Sequence, residues 1–470
     1  MYTYESLLAA VVASDGETRE VTDPATGEFI GLAPVQDVAA LEAAIDTAEA
    51  AQPAWAALPD EERIAYLHRA ADAIKESSEA LAELLSREQG KPLNGPNARF
   101  EVGGCEVWTR AAADTPLPVE VVVDDESGYA EMHYRPLGVV GAISPWNWPM
   151  MISIWQIAPS LRMGNTVVIK PAETTTLSVL ALVHVMNQVL PEGVLNIVPG
   201  PGSTVGDALT RSPKIAKIMF TGSTPVGKRI IEASAPNVTR LTLELGGNDA
   251  GIVLPDADPA AIAEDLFWGA FINTGQTCAA LKRLYVHESV YDAVVEELAK
   301  VAADVPMGVG LDEQNVLGPL QNRAQFDVVD RLVESAKASG ARIVLGGNPD
   351  REAPGNFYPT TLVADIDPHQ ELVLEEQFGP ALPIVKYRDL DEVVRLANEL
   401  EVGLGSSVWS SDRAQALAVA ARLQAGTTWI NSHGGLHPMI PFGGAKQSGY
   451  GREFGVAGLK AVAEPHVISG

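Results

Sequence analysis

From residue 139 onward the chain alternates short aliphatic runs with helix-like stretches, and no other feature restricts its fold as much. Strand-like runs fall at 139–144, 166–170, 195–198, 215–220 and 241–245. Helical segments near 154–162, 175–189, 203–209 and 226–233 separate them. Strand, helix, strand in repetition builds a parallel sheet through right-handed crossovers, an architecture suited to nucleotides. A second unit follows, with strands at 283–287 and 342–345 and a helix at 290–305. The fold class is therefore α/β. The earlier part reads differently. An alanine-rich helix is expected over 37–58, and a second opens at Pro59-Asp-Glu-Glu62, with acids in its first turn, and closes at Gly90. Val119, Val121 and Val123 then alternate with other residues, 124–128 makes a turn, and 129–134 returns as a second strand. The tail, 461–468, supplies one more strand.

The 470 residues exceed one core and suggest two to three domains, at about 150 residues each. A net charge of -28, from 61 acidic and 33 basic residues, repels phosphate backbones and anionic lipid. No nucleic-acid or membrane partner is expected, and an anionic ligand must be held by a few local donors. Cys105 and Cys278 are the two cysteines, too few for a disulfide framework and consistent with a reducing compartment. The apolar run at 7–13 follows no Lys or Arg and is short for a signal peptide. No run approaches the roughly 20 apolar residues of a membrane span. A cytoplasmic protein without a metal site is expected.

Three residues carry chemistry. Cys278 follows Gly275-Gln-Thr277, a polar turn. A free cysteine is often a buried structural residue, but a thiolate at a loop or helix start is electrostatically favoured and nucleophilic. Cys105 sits in a helical pattern and reads as structural. Glu244 ends an apolar strand and precedes Gly246-Gly247. It is either a solvent-facing strand end or a desolvated base with a raised pKa. Asn147, inside Ser144-Pro-Trp-Asn-Trp-Pro149, is either a turn residue or a fixed amide donor for an oxyanion.

Seven segments in order give the chain a resemblance. They are Pro145-Trp-Asn-Trp-Pro149, Lys170-Pro-Ala-Glu173, Phe220-Thr-Gly-Ser-Thr-Pro-Val-Gly227, Leu243-Glu-Leu-Gly-Gly247, Gly275-Gln-Thr-Cys278, Glu375-Glu-Gln-Phe-Gly-Pro380 and Pro441-Phe-Gly-Gly444. Together they resemble the NAD(P)-dependent aldehyde dehydrogenase superfamily over nearly the whole chain. The resemblance implies that Cys278 attacks the aldehyde, that Asn147 and the Cys278 N–H hold the oxyanion, and that Glu244 activates the water that releases an acid. It implies an NAD site, with NADP less preferred. Ile143, Ser144, Pro145 and Trp146 would line the groove, and Lys170 and Glu173 would meet the adenosine ribose. Gly222, Ser223 and Gly227 would form the pyrophosphate turn, with Leu245 close by, and Glu376 and Phe378 would flank the nicotinamide ribose. No Gly-x-Gly-x-x-Gly is present; Gly200, Gly202 and Gly206 come near it.

For substrate, the resemblance points to Trp148, Ile152, Trp155, Thr277, Ala279 and Leu436. These are apolar or neutral, so neutral aliphatic or aromatic aldehydes are expected; semialdehyde, betaine-type and CoA-acylating enzymes are the alternatives. Glu453 would serve a proton relay, although Gln156 replaces the lysine that many relatives carry there. The implied fold has a Rossmann-like cofactor domain over 1–113 and 135–247 and an α/β catalytic domain over 248–447. A β-hairpin oligomerisation arm over 114–134 and 448–470 would complete a homodimer or homotetramer.

Overall fold

The computed structural model describes residues 2–470. Two sheets carry the architecture. The first has six strands, in the order Gly449–Tyr450, Arg240–Glu244, Ile215–Thr221, Val139–Ile143, Thr166–Lys170 and Leu195–Ile197. All its pairings are parallel except the outermost, where Gly449 meets Glu244. The second has seven, running Arg342–Leu345, Thr361–Ala364, Ala381–Tyr387, Leu281–His287, Asp249–Val253, Gly405–Trp409 and Thr427–Ile430. Only its first pairing is antiparallel. Both sheets have helices packed against them, so their central strands are almost wholly apolar and buried, as parallel strands covered on two faces must be.

The hairpin forms from Glu120–Asp125 and Gly128–Pro136, and Ala463–Ser469 adds a third antiparallel strand. The residues just before that strand belong elsewhere. Gly449–Tyr450 edges the first sheet, and the Gly455–Ala461 helix packs on the Pro149–Arg162 helix. Among the described residues no helix is long and apolar enough to cross a membrane.

Three departures from expectation change an element rather than shift its end by a few residues or less. The helix opening after Pro59 is two helices, Asp60–Glu76 and Ser78–Gln89, because the chain bends at Ser77 (φ -105°, ψ 8°). Serine is a poorer helix former than alanine or leucine, and two in succession weaken the helix there. The helix expected from residue 154 begins at Pro149, whose fixed φ suits a first helical turn. The segment at 203–209 starts as a single π-helical turn, Gly202–Gly206, that runs directly into the short Asp207–Arg211 helix.

Gly90 closes the Ser78–Gln89 helix in the left-handed region at φ +92°, where a Cβ would lie 2.7 Å from Pro24 and 2.8 Å from Pro319. Gly340 has nearly the same backbone, φ +88°, with nothing within 4 Å. Alanine at either position incurs the left-handed penalty of about 1–2 kcal/mol, but only Gly90→Ala adds a clash. Its thermal midpoint should fall at least twice as far as that of Gly340→Ala by calorimetry. Equal shifts would show that the two prolines simply yield.

Candidate active site

The chain passes from the first sheet to the second within four residues, Leu245 to Asn248, between Glu244 and Asp249. That short crossing sets the site. Gly247 is approached so closely that a Cβ would stand 2.8 Å from Leu404 and 3.2 Å from the Cys278 carbonyl oxygen. At Gly246 it would be 2.6 Å from a Glu376 carboxylate oxygen. Glycine is the residue that permits such approaches.

Glu244 ends its strand with both edges covered, by Thr221 on one side and Gly449 on the other. Its side chain is buried and neither carboxylate oxygen has a hydrogen-bond partner. Desolvation pushes its pKa well up, the Glu453 charge adds to this, and Arg452 opposes it. The solvent-facing alternative is thereby removed. Glu453 is buried too and likewise raised, with Lys217 pulling it back.

Cys278 is reached through a strained turn. After the Pro259–Phe271 helix, Asn273 and Thr274 take φ of 51° and 57°, and Gly275 follows at +75°. A Cβ on Gly275 would lie 2.3 Å from the Gly379 carbonyl oxygen, so the loop is glycine-dependent. Gln276 fastens it, donating to the carbonyls of Asn273 (3.2 Å) and Pro319 (3.3 Å) and accepting from the Gln321 N–H (2.9 Å). The expected favoured thiolate is not found. The half-buried thiol lies in the turn before Leu281–His287, not at a helix start. Burial pushes it up to about 12; Lys282 opposes this, while Asp249, Glu244 and Glu376 reinforce it. At rest the thiol is neutral. Cys105 is fully buried inside Ala98–Asp114, and burial raises its thiol as well, in keeping with a structural residue.

Asn147 faces the nucleophile's loop. Its Nδ2 donates one hydrogen to the Gln276 carbonyl at 3.0 Å, leaving the other N–H for a further acceptor. Its own carbonyl accepts from Lys91 Nζ at 2.7 Å and from Asn273 Nδ2 at 2.9 Å. Next to it, Trp148 Nε1 donates to Thr277 Oγ1 at 2.9 Å. Ile152, Trp155 and Ala279 belong to the same apolar cluster, and Cys278, Ile272 and Leu436 pack against it. Trp155 turns its ring toward Trp108 and Phe454, at centroid distances of 5.8 and 4.8 Å, so it walls this cluster from behind.

A cavity of about 550 Å³ opens at the carboxyl ends of the first sheet's strands. Of the residues expected to meet a cofactor, Ile143, Trp146, Lys170 and Glu173 line it. Gly202 and Gly206 line it too, although they match no dinucleotide fingerprint. Gly222, Ser223 and Gly227 open the Thr224–Ser234 helix, whose Val226 and Ile230 form an apolar wall. Ser223 makes no side-chain cap, so the first N–H groups of that helix are not capped by it. Gly227 lets the helix close on Leu245, where a Cβ would be 2.7 Å from a methyl. Ser144 Oγ is buried without a partner, and Pro145 lies between it and Trp146. Trp146 meets Phe378 edge-on at 5.4 Å, and Glu376 pairs with Lys282 at 2.8 Å. The apolar wall, the free helix terminus and a carboxylate at one end fit a dinucleotide.

Sequence reasoning missed four charged residues. Lys282 is buried, pairs with Glu376 and donates to the Cys278 carbonyl. A lysine inside an apolar strand was the available signal. Arg19 donates to the Glu173 carboxylate and, at 2.8 Å, to its carbonyl. Burial raises Glu173, but the Gly202 N–H, Arg19 and Lys170 together hold it below the usual range. Lys91 and Glu101 form a wholly buried pair at 2.6 Å behind Asn147, and burial pushes Lys91 down to about 8. Nothing local in sequence announced either contact.

Comparison with known proteins agrees with this geometry. A model described as the Aldehyde dehydrogenase family matches residues 11–468. The phenylacetaldehyde dehydrogenase of Pseudomonas fluorescens is 39% identical over 96% of this chain and 92% of its own length. Retinaldehyde dehydrogenase 3 of Mus musculus is 38% identical over 95% of this chain and 88% of its own. The NAD+ complex of an aldehyde dehydrogenase from Bacillus cereus superposes with a TM-score of 0.93 at 34% identity, covering 98% of this chain and 94% of that one. The chain belongs to the aldehyde dehydrogenase family and is an NAD(P)-dependent oxidoreductase that converts an aldehyde to the carboxylic acid.

Proposed function

We propose that the enzyme oxidises neutral aliphatic or aromatic aldehydes with NAD as preferred acceptor, using Cys278 as nucleophile, Asn147 as oxyanion donor and Glu244 as base. One observation carries this reading. The Asn147 amide is tied to Gln276, two residues before Cys278, while Glu244 stands buried with no partner for its carboxylate. Because burial keeps the thiol protonated at rest, its proton leaves as sulfur bonds to the carbonyl carbon, and the raised Glu244 carboxylate is suited to take it. The carbonyl oxygen becomes an oxyanion that accepts from the free Asn147 N–H and the Cys278 N–H. The dinucleotide supplies the hydride acceptor when bound. Collapse of the oxyanion then leaves a thioester on Cys278. Glu244 passes the thiol's proton on to solvent and then deprotonates a water that attacks the thioester carbon; the C–S bond breaks, the departing sulfur takes that proton as the regenerated thiol, and the acid is released. A base at this position favours hydrolysis over transfer to CoA.

Around the cofactor, Val226 and Ile230 suit an adenine face, Glu173 and Lys170 the adenosine ribose, and the helix opening at Ser223 the pyrophosphate. Ile143 to Trp146, Gly222, Gly227, Leu245, Glu376 and Phe378 complete the proposed groove. We read 1–113 with 135–247 as the cofactor domain, 248–447 as the catalytic domain, and the hairpin with the C-terminal strand as an oligomerisation arm. Val121 and Val122 on that arm are 57% and 60% exposed, which suits burial against another subunit in a dimer or tetramer.

Cys278→Ala should abolish NADH formation while NAD binding, followed by titration calorimetry, persists. Glu244→Gln should form its first equivalent of NADH more slowly in stopped flow, because the thiol loses its base, and should then turn over at a steady rate reduced by about 10²–10⁴. In the unmodified enzyme the deacylation rate should rise with pH above the ordinary carboxylate range, since burial raises Glu244 and only its deprotonated form is a base. Full steady-state turnover by Glu244→Gln would show that another base operates.

NAD should exceed NADP in kcat/KM, because a carboxylate at Glu173 accepts from ribose hydroxyls and repels a 2′-phosphate. Arg19 and Lys170 offset part of that repulsion, so the preference is moderate. Glu173→Ser should narrow the gap. Equal kcat/KM for both cofactors in the unmodified enzyme would refute the preference.

Trp148, Ile152, Ala279, Leu436 and Ile272 offer no charge to a substrate's far end, with Thr277 as a polar neighbour. Hexanal and phenylacetaldehyde should therefore exceed succinic semialdehyde and betaine aldehyde in kcat/KM by about tenfold or more, the cost of leaving a charge unpaired in an apolar channel. A higher value for either charged aldehyde would overturn this substrate class.

A further inference from the structure

Asn147 can hold an oxyanion only if its peptide is held in place, and the turn that carries it has little of its own to do this. Trp148 is the residue before the Pro149–Arg162 helix, at φ -129° and ψ 63°, and makes no side-chain cap. Pro149, the first helical residue, has no N–H, so Met150 and Met151 present the first free donors of that helix. Glu101 reaches across from the Ala98–Asp114 helix and takes both, with its Oε1 at 2.9 Å from the Met150 nitrogen and 3.2 Å from that of Met151. Its Oε2 accepts from Lys91 Nζ at 2.6 Å. The same ammonium donates to the Asn147 carbonyl at 2.7 Å and stands 3.6 Å from the Trp148 ring centroid. One buried pair therefore grips the peptide of the oxyanion donor, the indole beside it and the start of the helix behind it.

We infer that Lys91 and Glu101 are positioning residues for the reaction, fixing Asn147 so that its free N–H points where negative charge develops on the substrate oxygen. This rests on the proposed role of Asn147. Stability alone is a poor explanation for the pair, because both side chains are fully buried. Removing two charges from water costs much of what their attraction returns, and apolar replacements of like size are often no less stable. Their contacts converge on Asn147, on Trp148 and on the first turn of the helix behind them. Lys91 follows directly on Gly90, whose left-handed backbone lets the chain leave the Ser78–Gln89 helix there. An oxyanion donor must be placed to within a fraction of an ångström to act, so loosening its peptide should slow chemistry more than it weakens binding.

A double-mutant cycle in the full-length enzyme tests this, with phenylacetaldehyde as substrate. Asn147→Ala should lower kcat by about 10²–10³. Lys91→Met should lower kcat by about tenfold to a hundredfold, a part of that loss. The KM and calorimetric dissociation constant for NAD should change by less than about twofold, and iodoacetamide should label Cys278 at an unchanged rate. Added to Asn147→Ala, Lys91→Met should cost less than about a further twofold, since a residue acting through Asn147 has nothing left to position. The same multiplicative loss in both backgrounds would overturn the proposal, as would an unchanged kcat for Lys91→Met. If Lys91→Met does not fold, the paired variant Lys91→Met with Glu101→Gln, which leaves no unpaired charge, is run through the same cycle against the same criteria. An unchanged kcat for Asn147→Ala alone would instead remove the role of Asn147, and this inference with it.

Discussion

The close approach of backbones at Gly246 and Gly247 is the constraint on which the rest of the site depends. Two parallel sheets, each with its own core, are joined there by four residues, and Glu244 and Asp249 sit at the two ends of the join. Because those glycines carry no Cβ, Glu376 can reach one backbone and the Cys278 loop the other. Residues from far apart in sequence therefore converge without any of them leaving its own strand or turn. A side chain at Gly247 would press on the carbonyl of Cys278 and separate the nucleophile's loop from the crossing strand. One at Gly246 would displace Glu376, and with it the Lys282 amine that holds the Cys278 carbonyl.

Burial then decides the charge state of what converges. The chain is strongly acidic overall, yet the site's electrostatics come from a few desolvated groups. Cys278, Glu244, Glu376 and Glu453 are all raised, each chiefly by loss of water. The carboxylates around the thiol reinforce one another's effect, and Lys282 is the cation that opposes them at Cys278. Such a site rests with its thiol protonated and reacts only when a proton can move, which suits a two-stage reaction with one base used in both stages.

Much of this could be read from sequence, and what could not shares a cause. Strands such as 166–170 and 342–345 emerge at their observed limits because apolar runs bounded by turn residues are local signals. Cys278, Glu244 and Asn147 stood out because each is polar in a setting that does not otherwise need it. The thiol's charge state did not follow from its own loop, because the burial that chiefly raises it, and the Asp249, Glu244 and Glu376 charges that add to this, come from other segments. Arg19 on Glu173 and Lys91 on Asn147 bridge 154 and 56 residues, distances over which periodicity says nothing. The break at Ser77 was hidden because neither glycine nor proline marks it.

Position 156 shows how a substitution is absorbed. Gln156, where the sequence resemblance leads one to expect a lysine, is fully buried and donates to the Ile143 carbonyl at 3.3 Å and to Thr221 Oγ1 at 3.2 Å. It thus links two neighbouring strands at the cofactor end of the sheet and brings no charge toward Glu453. A cation still acts on that carboxylate, from another element: Lys217 is buried on the Ile215–Thr221 strand and pulls the Glu453 pKa back down. Glu453 in turn raises Glu244, so a charge on one strand bears on the proposed base at the end of the next through a second carboxylate. In the proposed mechanism this matters between the two stages, where Glu244 has to give up the thiol's proton before it can activate water. With a neutral amide at 156, Lys217 is the cation that acts on Glu453, while burial remains the chief cause of the raised proton affinity of Glu244 and Arg452 opposes it directly.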